Sequence, residues 1–453
     1  MNILRGTITP IACALAFTAT TSMAQEYFRD FGSSKTSSGS FRLTPGVEVF
    51  SGNSPDGLSP ISPALDSSAD DNYNFRLGSF DFTIAAGLGI EANDNIALAS
   101  DHRVSDIILR PEIDIEGILR ISETNRIRLG VGIGYAKYMS HSEFDSKGIL
   151  IAPNSAFTWT AKSGSFTFTF RERLSYQEDP FEIPVISNAA NYRRWENQAG
   201  VQVDWEANEY TRVAVGYDRF DLRATDNVFK SQDRAINTIY VRPSYQISPC
   251  LTLGLNASAS WINYRQNIQS DGRSYLVGPY AQVKVNDTTD VYVEVGLQKT
   301  DFDNASLRQF VDPQTGELTA RPARDESGTS SYYAKVEVSN RPTEYFRHKL
   351  TASKTSELGL GSNFYDLYHF EYTADWKITE STSLTPGAFY EYYETSGDAS
   401  EQASRYGVSL GFHHVFSEHL TLGLDYRFLK KDSNLSGSDY YQNLGMASLY
   451  YKF

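Results

Sequence analysis

The chain has 453 residues and a formal net charge of −14, with 41 basic against 55 acidic side chains. No basic cluster relieves that acidic balance, which argues against a nucleic-acid partner, because phosphate binding needs Lys and Arg grouped on one face. No apolar run reaches the roughly 20 residues that a helix needs to span a bilayer.

Residues 1–24 read as a secretory signal: a basic start at Arg5, an apolar run around Ile8 to Phe17, and Ser22-Met23-Ala24 as the cleavage site. Pro10-Ile11-Ala12-Cys13 is a poor lipoprotein box. Cleavage leaves 40 basic and 55 acidic residues, a charge of −15, with Cys250 as the sole cysteine. That excludes an intramolecular disulfide and a cysteine metal site. Residues 25–79 are rich in Ser, Gly, Pro and Asp, a linker composition, with one strand-like piece from Phe41 to Phe50. They are expected to form an irregular extension, a partial plug or an added strand.

From Phe80 onward, alternating segments recur about every 20 residues, long enough to cross a bilayer as tilted strands. Ile127, Leu129, Val131, Ile133 and Tyr135 alternate with Arg126, Arg128, Gly130, Gly132 and Gly134. Leu251 to Trp261 and Leu420 to Phe428 repeat the pattern, aliphatic in the middle and aromatic near an end, as a bilayer with interfacial girdles demands. The 29 Tyr and 26 Phe suit such girdles, while a mean hydropathy of −0.40 fits strands apolar on alternate residues only.

The connections alternate too. Short polar turns are predicted at Ser122–Asn125, Lys162–Gly164, Ala207–Glu209, Ser248–Pro249, Asn286–Thr289, Arg341–Glu344, Thr379–Glu380 and Ser417–His419. Longer acidic or Ser/Asn/Gly-rich loops fall between them at Glu178–Ala190, Asp226–Arg234, Asn267–Arg273 and Asp301–Gly328. This is the signature of an all-β, antiparallel up-and-down transmembrane barrel. Counting back gives about 18 strands over residues 80–453, the first from Phe80 to about Ile96.

Alternation places a set of charged and polar side chains inside: Arg110, Glu112 and Asp114 on strand two, Arg128 on strand three, Asp204 on strand six and Arg242 on strand eight. Tyr292 and Glu294 on strand eleven, Lys335 and Glu337 on strand twelve, and Asp425 and Arg427 on strand seventeen complete it. A charge facing lipid at the bilayer midplane costs roughly 2–4 kcal/mol, so these residues belong in the lumen. There they either set a transverse field that screens polar solutes or pair and fill the interior.

No phosphate loop, serine elbow or metal motif stands out, so neither an enzyme nor a cofactor is expected. His413 and His414 are adjacent and point to opposite faces. Asp70-Asp71-Asn72, Asn93-Asp94-Asn95 and Asp301-Phe302-Asp303-Asn304 offer hard oxygens, but none has a dedicated calcium-loop spacing.

The final stretch, YYQNLGMASLYYKF, carries Leu449, Tyr451 and Phe453 on one face and ends on the aromatic residue. It resembles the closing strand of Gram-negative outer-membrane β-barrels, which implies that these three residues are an assembly signal read by the barrel-assembly machinery. The first strand, LGSFDFTIAAGLGIEANDNI, followed by ILRPEIDIEGILR, is similar to a large family of porin-like barrels of mostly undefined function. Some members of that family occur beside polysaccharide-export genes. The resemblance implies an outer-membrane location among lipid and lipopolysaccharide, and it supplies no catalytic residues. The expected function is passive passage of small polar solutes or of polysaccharide. The alternative is a filled barrel that anchors loops or a partner. An energised transporter of about 22 strands with a folded plug is too large for this chain.

Overall fold

The structure is a computed structural model that describes residues 75–453 apart from 181–182, 267, 304–305, 312–317, 326–327 and 398–399. The predicted signal and residues 25–74, with the strand-like Phe41–Phe50, lie outside the described residues.

Eighteen antiparallel strands close into one barrel. They are β1 (Phe80–Asn93), β2 (Asp106–Ser122), β3 (Asn125–Gly134), β4 (Ala156–Ser163), β5 (Phe166–Gln177) and β6 (Arg194–Glu206). There follow β7 (Thr211–Ala224), β8 (Arg234–Ser248), β9 (Leu251–Tyr264), β10 (Gly272–Asn286), β11 (Thr289–Phe302) and β12 (Thr329–Thr343). The last six are β13 (Phe346–Leu358), β14 (Phe364–Thr379), β15 (Thr382–Thr395), β16 (Gln402–Val415), β17 (Leu420–Ser433) and β18 (Tyr440–Lys452). Each pairs with the next in sequence, and β18 pairs with β1 through Leu88↔Leu449 to close the ring. Closure leaves no sheet edge to satisfy, the condition a strand must meet in lipid.

All the predicted short turns fall at one end of the barrel and the long loops at the other. The first strand stops at Asn93 rather than near Ile96 because side chains take over the backbone there. Asn93 Oδ1 accepts from the Asn95 N–H at 3.0 Å, and Asn95 bridges Ala99 and the Tyr441 carbonyl, the latter at 2.8 Å. Asp94 accepts from both the backbone and the side-chain amide of Asn443, at 2.7 and 2.8 Å. Asn93-Asp94-Asn95 is therefore a staple that fastens β1 to β18 at the closing seam. At the short-turn end, a strand of Phe75–Leu77 folds back on β1 around Gly78, whose φ of 64° suits a residue without Cβ. Arg76 pairs there with Asp81, so Phe75–Leu77 form a short strand added to β1.

The outer face is apolar: Leu88, Ile113, Val201, Ile239, Leu297, Phe370, Val408 and Leu424 are all exposed. Trp205, Tyr210, Tyr245, Trp376 and Phe416 ring the short-turn end. Leu449, Tyr451 and Phe453 also point outward, about half exposed, with the Tyr451 and Phe453 rings edge to face at 5.2 Å. The inner face holds the charged residues, and that inside-out polarity is the opposite of a soluble sandwich. The chain is a closed antiparallel β-barrel with an apolar outer face and a polar inner one.

Candidate functional site: the bore and the loop that crosses it

Glycines let the inner wall carry large side chains close against it. A Cβ at Gly216 would stand 2.2 Å from the Tyr240 hydroxyl, and one at Gly254 would stand 2.2 Å from the Tyr280 ring. The rings therefore lie flat against the neighbouring strand. On the β8–β12 wall they join a polar network. Tyr292 and Tyr333 both donate to Glu294, the latter at 2.7 Å, and Asn256 donates to it at 2.9 Å. Arg242 reaches Tyr292 at 3.4 Å, and Lys335 and Lys349 flank Glu337 at 3.4 and 3.0 Å.

Half-way round the 18-stranded ring, β2 turns Glu112, Asp114 and Glu116 inward. A Cβ at Gly87 would meet the Glu112 side chain at 2.8 Å, and one at Gly132 would meet the Asp114 carboxylate at 2.7 Å, so both acids rest on glycine backbone. The walls thus differ: tyrosines with three cations on one side, a strip of carboxylates on the other. Arg128 stands half-buried on β3, on the same inward face as Ile118. Asp204 is held by Gln202 at 2.8 Å, and Asp425 faces His413 at 3.6 Å. His414 turns to the other face and meets Thr382 at 2.9 Å.

The feature that shapes the bore is the connection between β5 and β6. Its composition predicts an external acidic loop over Glu178–Ala190; the chain instead folds it inward and across. Its tip docks on the far wall, where Asn188 Nδ2 donates to the Gly437 carbonyl at 2.7 Å and Ser187 Oγ to Ser438 at 2.9 Å. The Asn188 N–H donates to Leu98 at 3.1 Å, and Lys431 donates to Ser187 at 2.9 Å. Asn188 sits at a φ of 57°, a left-handed conformation that Asn tolerates better than most residues.

One side of the crossing loop is apolar. Ile183, Ile186 and Tyr192 bury themselves among Phe220, Leu222, Ile236 and Ile262 of β7–β9. Val185 continues the contact to Tyr365, Leu367 and Tyr393 of β14 and β15. Burying each isoleucine contributes roughly 1.5–3 kcal/mol, which holds the loop against that wall. A buried ion-pair row lies beside it: Glu391 takes Arg405 at 2.7 Å and His369 at 3.2 Å, and Lys431 pairs with Glu401 at 3.0 Å.

The other side of the loop is polar. Asp179 is exposed and lies in the field of Arg110 and Arg427 from the opposite strands. Arg110 binds the buried Glu91 at 2.6 Å, and Arg427 donates to Gln442 at 3.3 Å. Glu178, at the loop's start, takes Arg193 at 3.2 Å and Ser146 at 2.9 Å, tying the loop to the β3–β4 connection. The polar side of the loop thus sets Asp179 toward Arg110 of β2 and Arg427 of β17, beside the buried Glu91.

Of the residues singled out in the sequence, the structure joins Arg242, Tyr292 and Glu294 in one network and Lys335 with Glu337 in another. It sets Arg110 and Arg427 opposite Asp179 of the loop, and leaves the Glu112–Asp114 strip, Arg128, Asp204 and Asp425 on separate stretches of wall. Glu91, Asp179, Gln442 and the loop core escaped the alternation argument. The signal that could have found the loop core was compositional: Ile183 to Ile186 is too apolar for a loop in water.

No protein-family description matches the chain, and no curated protein does. Among solved structures it is similar to OpdK of Pseudomonas aeruginosa, an outer membrane protein, at 11% identity, covering 82% of this chain and 99% of that one, with a TM-score of 0.45. It is also similar to OpdQ of Pseudomonas aeruginosa, at 11% identity, 83% and 99% coverage and a TM-score of 0.43. OccAB4 of Acinetobacter baumannii gives 10% identity, 83% and 98% coverage and a TM-score of 0.42.

Proposed function

We propose that the protein is a channel of the bacterial outer membrane, not an enzyme, through which small polar solutes diffuse passively. The short turns face the periplasm and the long loops the exterior. The observation that carries this reading is the crossing loop. Its apolar side is packed against one wall, while its polar side, with Asp179, faces the arginines of the other. An anchor has no need of a loop so divided, whereas a channel uses such a loop to set the size and charge of its opening. The loop also makes a thick polysaccharide a poorer fit than a small solute. Outward-facing Leu449, Tyr451 and Phe453 would be read by the assembly machinery, and the apolar belt would meet lipid and lipopolysaccharide.

The anchor keeps one observation in its favour: a substantial part of the mouth is filled by the Ile183–Tyr192 core. Single-channel recording of the refolded barrel in a planar bilayer separates the two readings. Steady open steps, enlarged when residues 183–190 are replaced by a short Gly/Ser link, support the channel. Silence in both proteins leaves the anchor.

A further inference from the structure

Between β5 and β17 the ladders run to, or almost to, the strand ends at the loop side, with one exception. The β11–β12 ladder reaches Thr300↔Thr329, and β13–β14 reaches Leu358↔Phe364, but β12–β13 stops at Ala334↔Lys354. Thr329–Tyr333 and Thr355–Leu358 thus face each other across a seam without ladder pairs. Unpaired backbone is costly next to lipid, and here side chains take its place. Gln298, on the inner face of β11, donates to the Ser356 carbonyl at 2.9 Å and accepts from the Ser356 N–H at 3.3 Å. Lys354 reaches Ser331 at 2.5 Å and Asp366 at 3.1 Å.

For Gln298 to meet Ser356, the upper end of β13 has to lie on the lumen side of β12. The chain beyond it continues inward. Leu358 and Leu360 pack on the core that holds the crossing loop, and the Leu360 carbonyl accepts from Gln232 and Gln269, each at 2.6 Å. Glu357 is carried inward too, and its Oε2 has no hydrogen-bond partner among the described residues. A buried carboxyl oxygen without a partner is a cost of the inward position.

We infer that the upper end of β13 is a two-position element that sets the width of the bore. It rests on the channel reading above. In the position seen, β13 leans inward and its end supports the crossing loop. In the second, the β12–β13 ladder zips on in the same register, pairing Tyr333 with Thr355 and Tyr332 with Ser356. Zipping gains ladder hydrogen bonds and moves Glu357 out of the core. It gives up the Gln298 bridge and withdraws Leu358 and Leu360 from the loop. The two states trade similar interactions, which is what lets one packing replace another.

The test is a disulfide trap with Tyr332→Cys and Ser356→Cys in a Cys250→Ser background. Oxidation of the folded barrel is expected to cross-link the pair and raise unitary conductance, and reduction is expected to reverse both. Adding Gln298→Leu removes the bridge and should speed cross-linking roughly tenfold. Cross-linking that leaves conductance unchanged, or no cross-linking while both thiols react with a small maleimide, overturns the inference. If the unmodified barrel is silent, the channel reading falls. Proteolysis within residues 183–193 then decides the coupling: it should rise on cross-linking, and an unchanged rate refutes it.

Discussion

Asn188 is where a small change should move a large element. Its side chain donates to Gly437 at 2.7 Å, and its backbone holds a φ of 57°. Asn188→Ala removes a hydrogen bond worth about 0.5–1.5 kcal/mol and places Ala in a conformation that costs it roughly 1–2 kcal/mol. Together these disfavour the docked tip by about 2–3 kcal/mol, a shift of roughly 30- to 150-fold in the docking equilibrium. Asn188→Gly loses the same hydrogen bond but pays nothing for the φ, so it should shift the equilibrium only about fivefold. The assay is single-channel recording: the Ala variant should spend more time in a high-conductance level than Gly, and Gly more than the parent. If the Ala variant records like the parent, or Gly exceeds Ala, the tip contact does not hold the loop and the reasoning fails.

Gly216→Ala should force the Tyr240 ring off the wall, break its 2.9 Å bond to Gln202 and destabilise the barrel by about 1–3 kcal/mol. Gly445→Ala, with no atom within 4 Å, should be neutral, and the two can be compared by heat-modified mobility on gels. Arg110→Gln leaves Glu91 buried without its cation and should shift reversal potentials in a salt gradient toward cation selectivity, while lowering stability by roughly 3–5 kcal/mol. In the β3–β4 connection, the hydrogen bond from Lys137 holds the Asp145 carboxyl below its ordinary range. A depressed carboxylate stabilises above its unfolded value of about 3.9 and loses that contribution as pH falls through the folded one. Protection factors for amide exchange in residues 135–155, which divide out the intrinsic pH dependence of exchange, should therefore fall only as pH drops below about 4.

The barrel itself was legible because its determinants are local. Period-two alternation at Ile127–Tyr135 and Leu251–Trp261, with turns such as Ser248–Pro249, sets strand number and facing wherever a strand must be apolar on one side and polar on the other. The same alternation assigns Arg242, Glu294 and Asp425 to a face, but it cannot say which of them meet. Arg242 finds Tyr292 from β11 because barrel curvature and strand stagger bring those positions together, and Arg110 finds Glu91 as a diagonal neighbour on the adjacent β1. Asn93-Asp94-Asn95 looked like loop acid for the same reason: its partners, Tyr441 and Asn443, lie at the other end of the chain. The crossing loop was the largest surprise. Its path depends on contacts between Asn188 and Gly437 and between Ile186 and Leu222, and a loop has no periodicity to announce where it goes. Local patterning determined that this chain makes a barrel with a polar interior. Only tertiary packing decided that the segment Ile183–Tyr192 folds inward and packs against β7–β9, because the side chains that hold it lie far away in the sequence.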